Sequence, residues 1–191
     1  KDLKKAVKLY GTNNNSSDRD EKWTVELAIP WSAISEINHK KGKPNEGDFW
    51  KLNFSRVQWD RDIKGGQYFK QKDPNTQKVK PENNWVWSPQ GVINMHIPET
   101  WGLVVFVKSS NEHLIKTAKE IDNIKWQLRK IFMHEQSFYA KHGIYTTSLP
   151  ADLRQAEYEV KVLGDTFIAK YCKNRICYYI REDGRVWEKR P

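Results

Sequence analysis

Three tryptophans bracket one polar stretch of the chain: Trp59 precedes residues 60–84, and Trp85 and Trp87 follow it. An indole face lies well against the C–H patch of a pyranose ring, while the sugar hydroxyls need planar donors and acceptors at the rim. Asn53, Arg56, Gln58, Asn83, Asn84 and Gln90 supply such groups nearby. The spacing points to ring stacking with a polar rim, which is binding chemistry. Trp85 and Trp87 stand two residues apart beside Asn and Pro, so they are expected on one face of a strand edge, open to a ligand. Trp23, Trp50 and Trp101 have aliphatic neighbours and are expected in the core.

Bond-breaking constellations are weaker. Glu26 with Asp60 or Asp62 is a formal carboxylate pair for glycoside hydrolysis, but nothing in the sequence brings them to the required separation. Glu26 is expected to form an ion pair with Arg56 instead. Asp18 with Asp20, and Asp60 with Asp62, offer two oxygens each for calcium without continuing into a full calcium loop. No cofactor is therefore expected, calcium being the one alternative. The five histidines show no zinc spacing, and no serine sits in a nucleophile elbow. His96, next to Met95, lies nearest the Trp pair; it is expected to be a hydrogen-bonded structural residue, and a haem ligand role rests on these two residues alone.

Cys172 and Cys177 flank Asn174-Arg175 between two apolar runs. A two-residue turn there would set the cysteines opposite each other at disulfide distance; the alternative is a pair of reduced core thiols. A disulfide would imply an oxidising compartment.

The elements that must position these groups fall into two textures. Residues 1–108 read as short antiparallel strands: a strand at 6–10, an alternating one from Trp23 to Ile29 stopped by Pro30, one or two helical turns from Ser32 through Ile37, and alternation again over 49–59. Residues 60–84 carry scarcely any apolar pattern and read as a long loop, functional or disordered. Strand returns over 85–108, with 101–107 apolar on both faces. This part is expected to be an antiparallel β-sandwich of jelly-roll type. Residues 109–191 read as a second, α+β module. Leu114, Ala118, Ile121, Ile124, Leu128, Ile131 and Phe138 mark a long amphipathic helix over about 111–141, closed by Gly143. Strands at 157–163, 166–172 and 176–180 and a last one with Val186 and Trp187 complete a small antiparallel sheet.

Composition sets limits on the partners. Net charge is +9, from 33 Lys and Arg against 24 Asp and Glu. The excess is spread over both parts, and no basic stripe interleaved with rings falls on one element, so nucleic acid is not the expected partner. The longest apolar stretch, near residues 101–107, is too short to span a bilayer. Nine Trp, eight Tyr and seven Phe exclude disorder and demand either a core or a stacking ligand.

Four blocks carry a family resemblance: Trp23-Thr24-Val25-Glu26-Leu27-Ala28-Ile29-Pro30-Trp31; Trp50-Lys51-Leu52-Asn53-Phe54-Ser55-Arg56-Val57; Trp87-Ser88-Pro89; and His96-Ile97-Pro98-Glu99-Thr100-Trp101-Gly102. In order and spacing they resemble the family-9-like, DOMON-like carbohydrate-binding modules of exported bacterial proteins. The resemblance implies a β-sandwich that binds sugars without cleaving them, by clamping a terminal sugar between two Trp rings. Trp87 or Trp85 matches one ring of that clamp, with polar contacts expected near Asn53 and Arg56. It covers residues 6 to about 107 and begins late in the module, so the strands bearing the second ring are expected on a missing N-terminal portion or on a partner chain. A half-sandwich should expose the apolar faces around residues 23–29 and 101–107. Residues 124–187 are faintly similar to the head of a type IV pilin, without the apolar half of a pilin helix, which implies a docking or spacer module.

The sequence thus predicts an exported, periplasmic or cell-surface protein that binds a mono- or oligosaccharide and is not an enzyme. The expected sugar site comprises Trp87, Trp85, Arg56, Asn53, Trp59 and Gln58. The alternatives are a non-catalytic part of a glycoside hydrolase and a structural or assembly protein whose site has degenerated.

Overall fold

The computed structural model describes residues 3–34, 42–91, 94–154 and 157–190. The protein is mainly β with antiparallel pairing throughout, followed by a small α+β module, and it divides into two compact units, Lys1–Phe106 and Val107–Pro191.

In the first unit the strands pair two by two. β1 (Lys4–Tyr10) runs against β2 (Lys22–Ala28), with Val7 opposite Val25 and Leu9 opposite Trp23. Alternation places Val7, Leu9, Trp23, Val25 and Leu27 on one side of this hairpin, and all five are exposed. Trp23, expected in the core, is 48% exposed, because none of the described residues of this unit covers that face. The other face anticipated to be open behaves differently: Gly102 is buried and residues 103–107 are half-buried. A single 3-10 turn over Trp31–Ala33 follows β2; the rest of the helix expected through Ile37 lies outside the described residues.

The alternation over 49–59 resolves into β3 (Phe49–Leu52) and β4 (Ser55–Gln58), which change partner at Asn53-Phe54. β5 (Arg61–Lys64) and β6 (Gln67–Lys70) then form a hairpin. The stretch 60–84 is therefore not one long loop. Gly65 and Gly66 both take positive φ, at 57° and 78°, the conformation a two-residue turn needs to match strand twist. The hairpin is tied to the β1–β2 loop: the Tyr68 hydroxyl donates to the Asn15 carbonyl at 2.9 Å, and Ser16 Oγ donates to the Gly66 carbonyl at 3.1 Å. A tight turn at residues 73–77 completes the stretch. Asp73 accepts from the backbone N–H groups of Asn75 and Thr76 there, and those bonds, Thr76's first, hold its carboxyl below the ordinary value. β7 (Asn83–Val86) pairs with β4, and β8 (Gly102–Val105) pairs with β3. Trp31, Trp50 and Phe106 meet edge to face, with centroids 4.9 to 5.9 Å apart.

The second unit has a continuous core. Helix α1 (Glu112–His142) starts where Asn111 Oδ1 accepts the Leu114 N–H at 3.1 Å and stops at Gly143, whose φ of 71° is left-handed. One short helix, α2 (Ala151–Arg154), follows. The sheet is a four-stranded meander of β9 (Glu159–Leu163), β10 (Thr166–Lys173), β11 (Ile176–Arg181) and β12 (Val186–Lys189). Ile124, Leu128 and Ile131 of α1 bury against Phe167, Ala169, Tyr178 and Ile180 of the sheet. Glu135 is the polar member of this core. Its Oε2 accepts the Thr146 N–H at 2.9 Å, and its Oε1 is buried without a partner, so burial pushes the carboxyl above its ordinary value.

Cys172 and Cys177 are directly opposite in the β10–β11 ladder and form a disulfide, with Cα atoms 4.0 Å apart. Asn174 and Arg175 make the turn with φ of 50° and 65°. Among the described residues no helix is long and apolar enough to cross a membrane.

Candidate functional site

The β4–β7 ladder assembles the polar and aromatic groups singled out in the sequence. Its register sets Arg56 opposite Trp85 and Gln58 opposite Asn83, so alternation places these four on one side of the pair. Trp85 is open, with 60% of its surface accessible. The Arg56 guanidinium lies 6.0 Å from its ring centroid and donates to Gln58 Oε1. Asn83 Nδ2 donates to Asp60 Oδ1 at 3.3 Å. An indole with an open face, a guanidinium, an amide oxygen and an amide nitrogen thus stand within one strand pair. That set can stack a ring and hydrogen-bond hydroxyls of either polarity.

The other predicted residues occupy different environments. Trp87 continues the same side beyond β7, where its N–H meets the Phe54 carbonyl at 3.0 Å. Its indole Nε1 donates to the Leu52 carbonyl at 2.9 Å, Phe54 contacts its edge, and a Cβ on Gly102 would come within 2.3 Å of the ring. Trp87 is 47% exposed, yet its polar atom and one flank are committed to the scaffold. Trp59 follows the last residue of β4, so alternation turns it to the opposite side from Arg56 and Trp85. It is half-buried, and the Lys70 ammonium lies 3.4 Å from its ring centroid. Asn53 is half-buried at the junction of β3 and β4, with Oδ1 buried and without a partner. Asn84 faces Val57 on the other side of the ladder, and Gln90 is engaged with Thr100 Oγ1 at 3.0 Å.

Glu26 does not pair with Arg56: it sits in β2 opposite Ala6, and no ion pair joins it to Arg56 among the described residues. His96 is exposed, and its contact is a backbone one, the N–H donating to Asn94 Oδ1 at 2.9 Å. Among the described residues no group of three or more His, Cys, Asp or Glu gathers in a way that would hold a metal ion.

The second unit contains a cleft of about 340 Å³ that the sequence did not announce, lined by Glu120, Gln127, Lys130, Asp152, Tyr158 and Tyr171 among others. Several of its groups contact one another. Glu120 is paired with Lys173 at 3.0 Å, the Tyr158 and Tyr171 rings lie 4.8 Å apart, and burial pushes the Tyr158 hydroxyl up to about 12. It reads as a packing seam between α1 and the sheet.

No family model, curated protein or solved structure matches the chain.

Proposed function

We propose that the protein binds carbohydrate without cleaving it, through the Trp85 side of the β4–β7 pair, and that it works in an exported setting. The observation that carries this reading is the open indole of Trp85 ringed by Arg56, Gln58 and Asn83, a combination that serves a sugar better than it serves a protein core. The Cys172–Cys177 disulfide supports a periplasmic or surface location, where such bonds persist. Binding as an accessory part of a glycoside hydrolase uses the same site.

The test is intrinsic fluorescence of the whole chain, titrated with a panel of mono- and oligosaccharides, for the native protein and for Trp85→Ala. Saturable quenching by at least one sugar, lost in Trp85→Ala and retained in Trp23→Ala, is expected. A panel that leaves the emission unchanged removes the carbohydrate reading.

A second reading is favoured by the uncovered side of β1–β2, where Val7, Leu9, Trp23, Val25 and Leu27 are all exposed. Contiguous apolar surface of this kind marks an interaction site. It supports an assembly role in which a further β layer, supplied by a partner chain, completes the unit.

A further inference from the structure

The β5–β6 hairpin carries a feature that stacking on Trp85 does not use. Its register sets Arg61 directly opposite Lys70, and like charges facing each other across an antiparallel pair oppose folding. The Gln71 N–H donates to the Asp60 carbonyl at 2.9 Å, which extends the ladder one step and brings Lys72 to the same side as Lys70. Lys70 is held in place by Trp59, whose ring centroid is 3.4 Å from the ammonium nitrogen. Asp62 alternates to the far side of the strand opposite Phe69, and Asp60 is engaged with Asn83. Arg61, Lys70 and Lys72 are exposed, and none makes an ion pair among the described residues.

The arrangement gathers positive charge on one side of the ladder, with no ion pair to offset it among the described residues. A neutral sugar ring cannot lie on the face of Trp59 that Lys70 occupies. A sugar bearing a carboxylate can instead present that group to Lys70 and Arg61 as a charge-assisted hydrogen-bond acceptor. A single-stranded nucleic acid would need a run of free ring faces for its bases, and the indole of this strip is already capped.

We infer that Trp59, Arg61, Lys70 and Lys72 form a carboxylate-binding strip, a second subsite on the side turned away from Trp85, and that the glycan it takes is a uronic-acid-bearing one; the inference rests on the carbohydrate reading above. The experiment compares a galacturonate oligomer with its methyl ester, the same sugars without the charge, by isothermal titration at low and high salt on the whole chain. The acid oligomer is expected to bind about tenfold more tightly at low salt, with the advantage shrinking as salt rises. Arg61→Gln and Lys70→Gln should each weaken acid binding about three- to tenfold and leave ester binding unchanged, with a cooperative thermal melt showing that each variant is folded. Equal affinity for acid and ester, or charge variants without effect, overturns the strip while Trp85-dependent binding stands. Failure of both oligomers and of every sugar in the fluorescence panel removes the carbohydrate reading itself. A single-stranded oligonucleotide that binds more tightly than the acid oligomer and is lost in the same variants assigns the strip to nucleic acid and overturns the inference.

Discussion

Replacing Cys172 and Cys177 together by alanine opens the cross-link of the β10–β11 hairpin and disturbs little else. Cys172 is exposed and Cys177 half-buried, so the change removes little packed surface. What it does release is the unfolded chain. For a loop closed between residues five apart in sequence, the chain-entropy relation gives about 2 kcal/mol. The native hairpin lowers that figure, because the Asn174-Arg175 turn and the pairs from Ile168↔Arg181 to Lys173↔Ile176 bias the same closure without a bond. The expected loss is therefore about 1–2 kcal/mol, and for a unit of this size a fall of roughly 5–15 °C in the midpoint of its transition. Scanning calorimetry of the whole chain reads it directly, with the native protein in reductant as a second route to the same state. The buried cluster of Phe167, Ala169, Tyr178 and Ile180 contains neither cysteine, so helical ellipticity at low temperature should be unchanged. Identical midpoints for native, reduced and double-alanine protein would refute the entropic argument. Loss of the helical signal at low temperature would refute it from the other side, since the bridge would then be holding the whole unit.

Gly102→Ala should destabilise the first unit by about 1–3 kcal/mol, because the added methyl would meet the Trp87 ring and Ser88 Cβ; urea unfolding followed by Trp emission checks it, and an unchanged midpoint contradicts the packed role of Trp87. Leu128→Ala, at a fully buried position of α1, should cost about 2–5 kcal/mol in the second unit, read as a lower midpoint in denaturant with unchanged slope. Glu135 tests the sign of a buried carboxyl. Because burial raises its value above 4.5 on folding, its neutral form favours the folded state, and that contribution is complete below pH 4.5 and is lost as pH rises through the folded value. Glu135→Gln removes the titration, so its stability relative to the native protein should improve steadily from acid to neutral pH; a gap independent of pH rejects this account.

Local signals were legible wherever one residue does one job. Asn111 and Gly143 bound α1 because a side-chain oxygen caps its first turn and a left-handed glycine ends its last. The Cys172–Cys177 pairing followed from a two-residue turn, which fixes register without help from the rest of the fold. Glu135 was skipped in the helical stripe because a charged residue type conceals a core position. The β5–β6 hairpin was read as loop because Ile63, Tyr68 and Phe69 are exposed and give no clear alternation, although Gly65-Gly66 was a turn signal in plain sight. The pairing of Arg56 with Trp85 was out of reach for another reason. It joins strands separated by an inserted hairpin, and sequence spacing sets no register across such an insertion. Trp23 shows the remaining limit: alternation reveals which side of a strand is apolar, but not whether anything covers it.

That limit sharpens what an exposed tryptophan means in the first unit. Trp87 and Trp101 each tie their indole N–H to a backbone carbonyl, of Leu52 and Met95, and are thereby committed to the scaffold. Trp31 and Trp50 pack edge to face against Phe106, and Trp59 is capped by Lys70. Trp23 and Trp85 are both substantially open, at 48% and 60%, but their surroundings differ. Trp23 stands among Leu9, Val7 and Val25, a dry rim that gains only by meeting another apolar layer. Trp85 stands among Arg56, Gln58 and Asn83, whose donors and acceptors beyond the Arg56–Gln58 and Asn83–Asp60 bonds would be left unpaired under such a layer and are satisfied by hydroxyls or water. The rim therefore separates the two rings: the surroundings of the first suit a packing surface, and those of the second suit the proposed ligand.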